Sequence, residues 1–142
     1  MVRLHLIKKK NSGFTLVELV IVILVLGIIT AVAAPKMFDT ANDARDNATR
    51  QSLSVLRGAI EMYRAQNGSY PSASAITTTL LPYLQGPFPA PQTGANQNPE
   101  VVASSQSPIT SVEPGSEGWV YNNSTGEIRI NDGVYVLSLI HI

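Results

Sequence analysis

The chain has 142 residues, 44% of them hydrophobic, with ten basic and ten acidic side chains and no cysteine. That length holds one modest domain plus accessory segments, and the lack of cysteine excludes a disulfide framework, a thiolate metal site and a thiol nucleophile. The two histidines, His5 and His141, stand at opposite ends, so the body of the chain lacks the commonest general base and metal ligand, and no enzymatic activity is expected.

The balanced charge hides an asymmetry. Arg3, Lys8, Lys9 and Lys10 precede Gly13, leaving six basic against ten acidic residues beyond it, a formal charge of −4. Nucleic-acid binding, which draws on a basic face, is not expected. The basic cluster reads instead as a signal that holds the N-terminus on the cytoplasmic side of a membrane.

Residues 1–13 form a short basic and polar leader ending in Asn11, Ser12 and Gly13. From Phe14 to Ala34 the chain is almost continuously apolar. As a helix rising about 1.5 Å per residue this segment is about 30 Å long, enough to cross the hydrocarbon core of a bilayer. It is apolar on all sides, so lipid or many packed neighbours must surround it. Gly27 within it either permits close helix approach or reflects the looser rules of membrane helices. Pro35 predicts a kink or a weakened turn, because it has no backbone N–H to donate.

The helical pattern resumes beyond the proline and gives residues 36–68 an amphipathic character. Leu56, Ile60 and Tyr63, beside Val55, Ala59 and Met62, recur at three- and four-residue steps and predict one apolar stripe. Arg50, Arg57 and Arg64 repeat every seven residues on a different face, read as solvated, with Asp39, Asp43 or Asp46 of another copy as the alternative partners. Asn67-Gly68 is a helix stop, since glycine readily takes the left-handed conformation. One helix from Phe14 to about Gln66 is the economical reading.

Residues 69–136 read as a small head. A short helix is expected within Ser74–Leu84, weakened by Thr77, Thr78 and Thr79. Residues 85–117, rich in proline and small polar side chains, read as an ordered irregular loop. Trp119-Val120-Tyr121 and Glu127-Ile128-Arg129-Ile130 alternate as strands joined by Asn122–Gly126 in a hairpin, and Gly133–Val136 is a candidate third strand. Tyr70, Trp119 and Tyr121 read as core or rim aromatics of the head. The last six residues, Leu137–Ile142, coincide with the in-frame translation of a transposon end used in sequencing libraries. They are read as adapter-derived, and no function is placed on them or on His141.

Lys8-Lys9-Lys10-Asn11-Ser12-Gly13-Phe14-Thr15-Leu16-Val17-Glu18 resembles the N-terminal signal of type IV pilins and type II secretion pseudopilins. Pro35 falls where that family places a proline in its first helix, and Asn67-Gly68-Ser69-Tyr70-Pro71 is similar to the pattern at its end. The resemblance implies an α+β, ladle-shaped pilin-like fold in which one long helix, membrane-spanning in its first half, packs on a small antiparallel sheet head. It implies cleavage between Gly13 and Phe14 by a prepilin peptidase/methyltransferase, N-methylation of Phe14, and assembly through Glu18 and Pro35. The partners implied are further copies of the chain in a filament, an inner-membrane assembly platform and membrane lipid. The location is the bacterial cytoplasmic membrane, with the N-terminus inside and the head outside. Absence of cysteine leans towards a pseudopilin, since many pilins close a C-terminal loop with a disulfide. No cofactor is expected; Asp132 and Glu127 are the candidates if the head takes calcium, as some major pseudopilins do near their C-termini.

The physics of Glu18 stands apart from the resemblance. A carboxylate within a membrane span costs a few kcal/mol even on insertion scales and needs a compensating partner. Four residues into the processed helix, it lies near the positively polarised N-terminus, where the amine of Phe14 on an adjacent copy can pair with it. A glutamate at headgroup level is the simpler alternative. Two other readings compete: a conventional signal segment cut at Ala31-Val32-Ala33, and a minor tip subunit that binds DNA or another ligand.

Overall fold

The computed structural model describes residues 13–134. Most of the leader, the last part of the candidate third strand and the suspected adapter-derived tail lie outside them. The chain divides into two compact units between Asp39 and Thr40.

A single helix, α1 (Leu16–Asn67), forms the described N-terminal part and continues into the second unit. Within the first unit every side chain from Leu16 to Ala33 is exposed, and the segment is long and apolar enough to cross a membrane. It folds as a helix because leucine suits the state and because a helix pairs its own backbone groups without a partner strand. Thr30 follows the same logic: its Oγ1 donates to the Leu26 carbonyl at 2.8 Å, so the one hydroxyl deep in this apolar run is satisfied inside the helix. The helix runs through Pro35, which leaves the Ala31 carbonyl without the usual donor four residues on.

In the second unit α1 gains a buried face. Thr49, Leu53, Leu56, Ala59 and Ile60 are buried, at steps of three and four that keep them on one side. Val55 and Met62, expected in the same stripe, are each 48% exposed. Two apolar rows run along this part of α1, and only the row containing Leu53, Leu56 and Ile60 meets the head. Gly68 ends the helix as expected: its φ is +74° and its N–H donates to the Arg64 carbonyl at 2.8 Å.

The expected helix within Ser74–Leu84 is shorter than its sequence window. α2 (Ile76–Thr79) lasts one turn and passes into a 3₁₀ turn over Leu81–Tyr83. Three consecutive threonines lose side-chain freedom in a helix, and Pro82 fits only its first turn. Ile76 and Leu80 nevertheless reach the core.

The sheet has three strands in the order β1 (Val101–Ala103), β2 (Trp119–Asn122), β3 (Glu127–Ile130). β2 and β3 form the expected antiparallel hairpin, with Trp119 opposite Ile130 and Tyr121 opposite Ile128. β1, within the stretch read as irregular loop, pairs with β2 in parallel, so the sheet is mixed rather than purely antiparallel. Gly133 and Val134 form a turn rather than the start of a strand. Trp119, Tyr121, Ile128 and Ile130 turn one face of the sheet into the core formed with Leu53, Leu56, Ala59, Ile60, Ile76, Leu80 and Phe88. On the other face Val120 packs with Ile109 and Val102.

Side chains tie the long loop down. Trp119 Nε1 donates to the Pro89 carbonyl at 2.8 Å, and the Gln92 N–H donates to the buried Thr49 hydroxyl at 2.9 Å. Asn98 Oδ1 accepts from Gly118 N and Glu100 N, each at 3.0 Å, while its Nδ2 donates to Ser116 O at 2.6 Å. These bonds supply the backbone partners that a segment of little regular structure otherwise lacks.

Candidate functional site

The candidate processing and assembly residues lie at the start of α1. Gly13 and Phe14 precede the helix, both exposed, with the Phe14 ring side chain 74% accessible. Neither residue of the expected cleavage point belongs to the helix.

Thr15 and Glu18 close the helix start. The Glu18 N–H donates to Thr15 Oγ1 at 3.2 Å, and the Thr15 N–H donates back to Glu18 Oε2 at 3.3 Å. The Thr15 hydroxyl also donates to Glu18 Oε2, at 3.3 Å. This is a reciprocal capping box, which satisfies two of the N–H groups a helix start leaves without partners. It also places a negative charge where the helix dipole favours one. The motif Thr15-x-x-Glu18 ahead of an apolar run is legible in the sequence as a capping signal. Glu18 thus has an in-chain partner in Thr15, and it remains exposed to anything that approaches the helix start.

Farther along, a Cβ built on Gly27 meets nothing within 4 Å, which leaves a shallow notch on the exposed helix. Pro35 closes the segment. Gly13, Phe14, Glu18 and Pro35 are thus strung along one element, and the structure does not gather them into a pocket.

The C-terminal candidates have structural duties. Asp132 Oδ2 accepts from the Ala95 N–H and its Oδ1 from the Val134 N–H, both at 2.9 Å. Glu127 pairs with Arg129 and accepts from the Ile109 N–H at 3.0 Å. Among the described residues no group of three or more histidine, aspartate or glutamate side chains stands ready for a metal ion.

Trp119 and Tyr121 are fully buried, as core aromatics should be. The Tyr121 hydroxyl donates to the Pro71 carbonyl at 3.1 Å, and burial, reinforced by Tyr70, Glu61 and Tyr63, pushes its pKa well above the ordinary phenol value. Tyr70 is a rim residue with the Arg64 guanidinium 4.5 Å from its ring centre. The three arginines of the repeating row have different fates: Arg64 joins Tyr70 and Glu61, Arg57 donates to the Ile128 carbonyl at 3.4 Å, and Arg50 is partly buried.

Comparison with known proteins points to the same segment. Residues 8–34 match the family model of the prokaryotic N-terminal methylation motif, a span that contains Gly13, Phe14 and Glu18 and stops one residue short of Pro35. The chain is similar to type II secretion system core protein G of Pseudomonas aeruginosa, with 31% identity over 74 residues, 52% of each chain. It is similar to the protein of that name from Aeromonas hydrophila, with 32% identity over 74 residues and the same shares. For that of Escherichia coli the identity is 28% over 91 residues, 64% of this chain and 60% of the relative. The chain thus spans about half the length of these curated relatives. No solved structure gives a significant match.

Proposed function

We propose that this chain is a structural subunit of a type II secretion pseudopilus, processed after Gly13 and assembled through its N-terminal helix. The observation that carries the reading is the first half of α1: an apolar helix exposed along its whole length, introduced by a prokaryotic methylation motif. Such a surface is costly in water, at roughly 25 cal/mol per Å² of apolar area. It therefore needs lipid before assembly and other copies of itself afterwards.

In this account the basic leader stays in the cytoplasm while Leu16–Ala34 spans the inner membrane and the head lies outside. A prepilin peptidase cuts between Gly13 and Phe14 and methylates the new amine of Phe14. The capping box then gains its purpose. Held by Thr15, the Glu18 carboxylate is fixed at the helix start, presented to the cationic Phe14 amine of a neighbouring copy. That ion pair offsets the cost of a carboxylate in an apolar setting and defines the stagger between copies, while the apolar surface supplies adhesion. An inner-membrane platform delivers each subunit to the base of the filament. The similarity to type II secretion core protein G favours the pseudopilus over a surface pilus.

The test is expression of the full chain with its peptidase and assembly platform, followed by shearing and electron microscopy of the filaments. Glu18→Ala is expected to remain in the membrane with a folded head and to lose filaments. Filaments of Glu18→Ala in wild-type amount would contradict the role given to the carboxylate.

A further inference from the structure

The triplet Asn-x-Ser/Thr begins at Asn47, Asn67, Asn122 and Asn123. It is the acceptor pattern for an N-linked saccharide, and it is used where the asparagine stands on a surface turn or loop. The structure separates the four positions. Asn47 lies within α1, and Thr49, the third residue of its triplet, is buried, its hydroxyl donating to the Arg45 carbonyl at 2.9 Å. Asn67 is the last residue of the same helix, and its Nδ2 donates to the Tyr63 carbonyl at 2.9 Å. Asn122 is only 2% exposed, and its Nδ2 donates to the Gln106 carbonyl at 2.7 Å.

Asn123 differs from all three. It opens the turn between β2 and β3, where Asn123, Ser124 and Thr125 are all exposed. Among the described residues its side-chain amide has no hydrogen-bond partner. The neighbouring residue explains this freedom. Asn122 Oδ1 accepts from the Ser124 and Thr125 N–H groups at 2.8 and 3.3 Å, so a buried asparagine holds the turn and the exposed one is spared that duty. Thr125 Oγ1 accepts from the Glu127 N–H at 3.3 Å, and its own O–H proton stays free to donate. Beside the turn lies an open cleft of about 510 Å³, whose walls include Ser105, Ser107, Asn123, Ser124 and Thr125. None of its lining side chains is charged. Hydroxyls and amides of this kind suit a neutral, hydroxyl-rich ligand.

We propose that Asn123 is the acceptor of a neutral N-linked saccharide, received by the cleft beside it. The donor class is a lipid-linked saccharide diphosphate, used by a transferase on the outer side of the membrane. Asn123 Nδ2 forms a bond to C1 of the sugar as the bond from C1 to the diphosphate oxygen breaks. The diphosphate leaves with the electron pair, the amide gives up one proton to a base of the transferase, and nothing is oxidised or reduced. The proposal rests on the pseudopilus reading in one respect, the placement of the head outside the membrane.

The experiment produces the full chain with its prepilin peptidase in bacterial cells that carry an oligosaccharyltransferase of general Asn-x-Ser/Thr specificity and its lipid-linked saccharide. Peptides from the membrane fraction are mapped by mass spectrometry. A saccharide is expected on the peptide containing Asn123 and on neither the Asn47 nor the Asn67 peptide. Asn123→Gln and Thr125→Val are each expected to lose it. Ser124→Ala, which breaks the Asn122 triplet alone, is expected to keep it, as is Thr125→Ser. A bare Asn123 in the native chain, a saccharide that survives Thr125→Val, or one lost in Ser124→Ala overturns the acceptor site. Amide exchange at Ser105 and Ser107 is expected to slow when the saccharide is present, and unchanged exchange there overturns the role of the cleft. Phe14 in the same digest reports separately on the pseudopilus reading. Methylated Phe14 with a bare Asn123 refutes the acceptor site and leaves that reading standing. A saccharide on Asn123 of an unprocessed chain supports the site and counts against that reading, and an unprocessed chain with a bare Asn123 overturns both.

Discussion

The two halves of α1 are one helix by hydrogen bonding and two different objects by packing. From Leu16 to Ala33 every side chain is exposed, although this is the most apolar stretch of the chain. From Leu53 to Ile60 the same helix buries four apolar side chains at 1% exposure or less. The difference shows that apolar content alone does not make a core. The second half has a polar side to give to water and one row to give to a sheet, so it completes a domain within one chain. The first half is apolar all round and leaves that surface exposed among the described residues, the mark of a surface made for lipid or for packed neighbours.

Paired substitutions test that contrast most sharply. Leu56→Ala removes a fully buried side chain and is expected to destabilise the head by about 2–5 kcal/mol in denaturant unfolding followed by Trp119 fluorescence. Leu24→Ala, 62% exposed at its native leucine, is expected to change the same transition by less than about 0.5 kcal/mol. Comparable losses from both would mean that the first half of α1 shares the core of the head.

A backbone position in the head gives the next largest effect. Gly126 has a φ of +77°, and a Cβ there would lie 2.2 Å from Tyr70 Cε1. Gly126→Ala is therefore expected to cost more than about 1 kcal/mol, read in the same unfolding assay. Stability unchanged by this substitution would show that the hairpin turn and Tyr70 are not packed as described.

Tyr121 provides a pH signature confined to the head. Its folded-state pKa lies above the ordinary 10.0, so the folded state holds the proton more tightly than the unfolded chain. The resulting stabilisation is complete below pH about 10 and is lost as the pH rises beyond it. Unfolding curves measured from pH 9 to about pH 11 are expected to fall more steeply for the native chain than for Tyr121→Phe. Parallel curves would remove Tyr121 as a source of the alkaline loss.

The smallest effect belongs to the helix start. Thr15→Ala removes the hydroxyl that accepts the Glu18 N–H, a change worth about 1 kcal/mol of local helix stability. Amide exchange in detergent should quicken over the first turn of α1 and nowhere in the head. Unaltered exchange at that turn would show that the cap does not hold it.

Local signals carried much of this into view from the sequence. The apolar run, the Asn67-Gly68 stop and the Trp119–Ile130 hairpin depend on neighbours in the chain, and all three appear where periodicity and turn chemistry placed them. β1 was hidden because Val101-Val102-Ala103 is too short to show alternation, and its parallel pairing with β2 depends on a loop held by Asn98 and Trp119. The buried row of α1 was only half legible. Periodicity offered both Leu56 with Ile60 and Val55 with Met62, and the choice between them is made by the sheet, which the helix sequence does not contain. At the N-terminus the motif singled out Gly13, Phe14 and Glu18, and the capping role of Thr15 was equally available from its spacing to Glu18. What Glu18 meets in a second chain lies outside the structure of one.

The most direct test of the central claim is mass spectrometry of the N-terminal peptide of the membrane-expressed chain, with its processing peptidase present. The account predicts a peptide that begins with N-methylated Phe14. An uncut chain beginning at Met1, or one beginning at Ala34, would contradict it and make the apolar helix a plain anchor or a conventional signal segment.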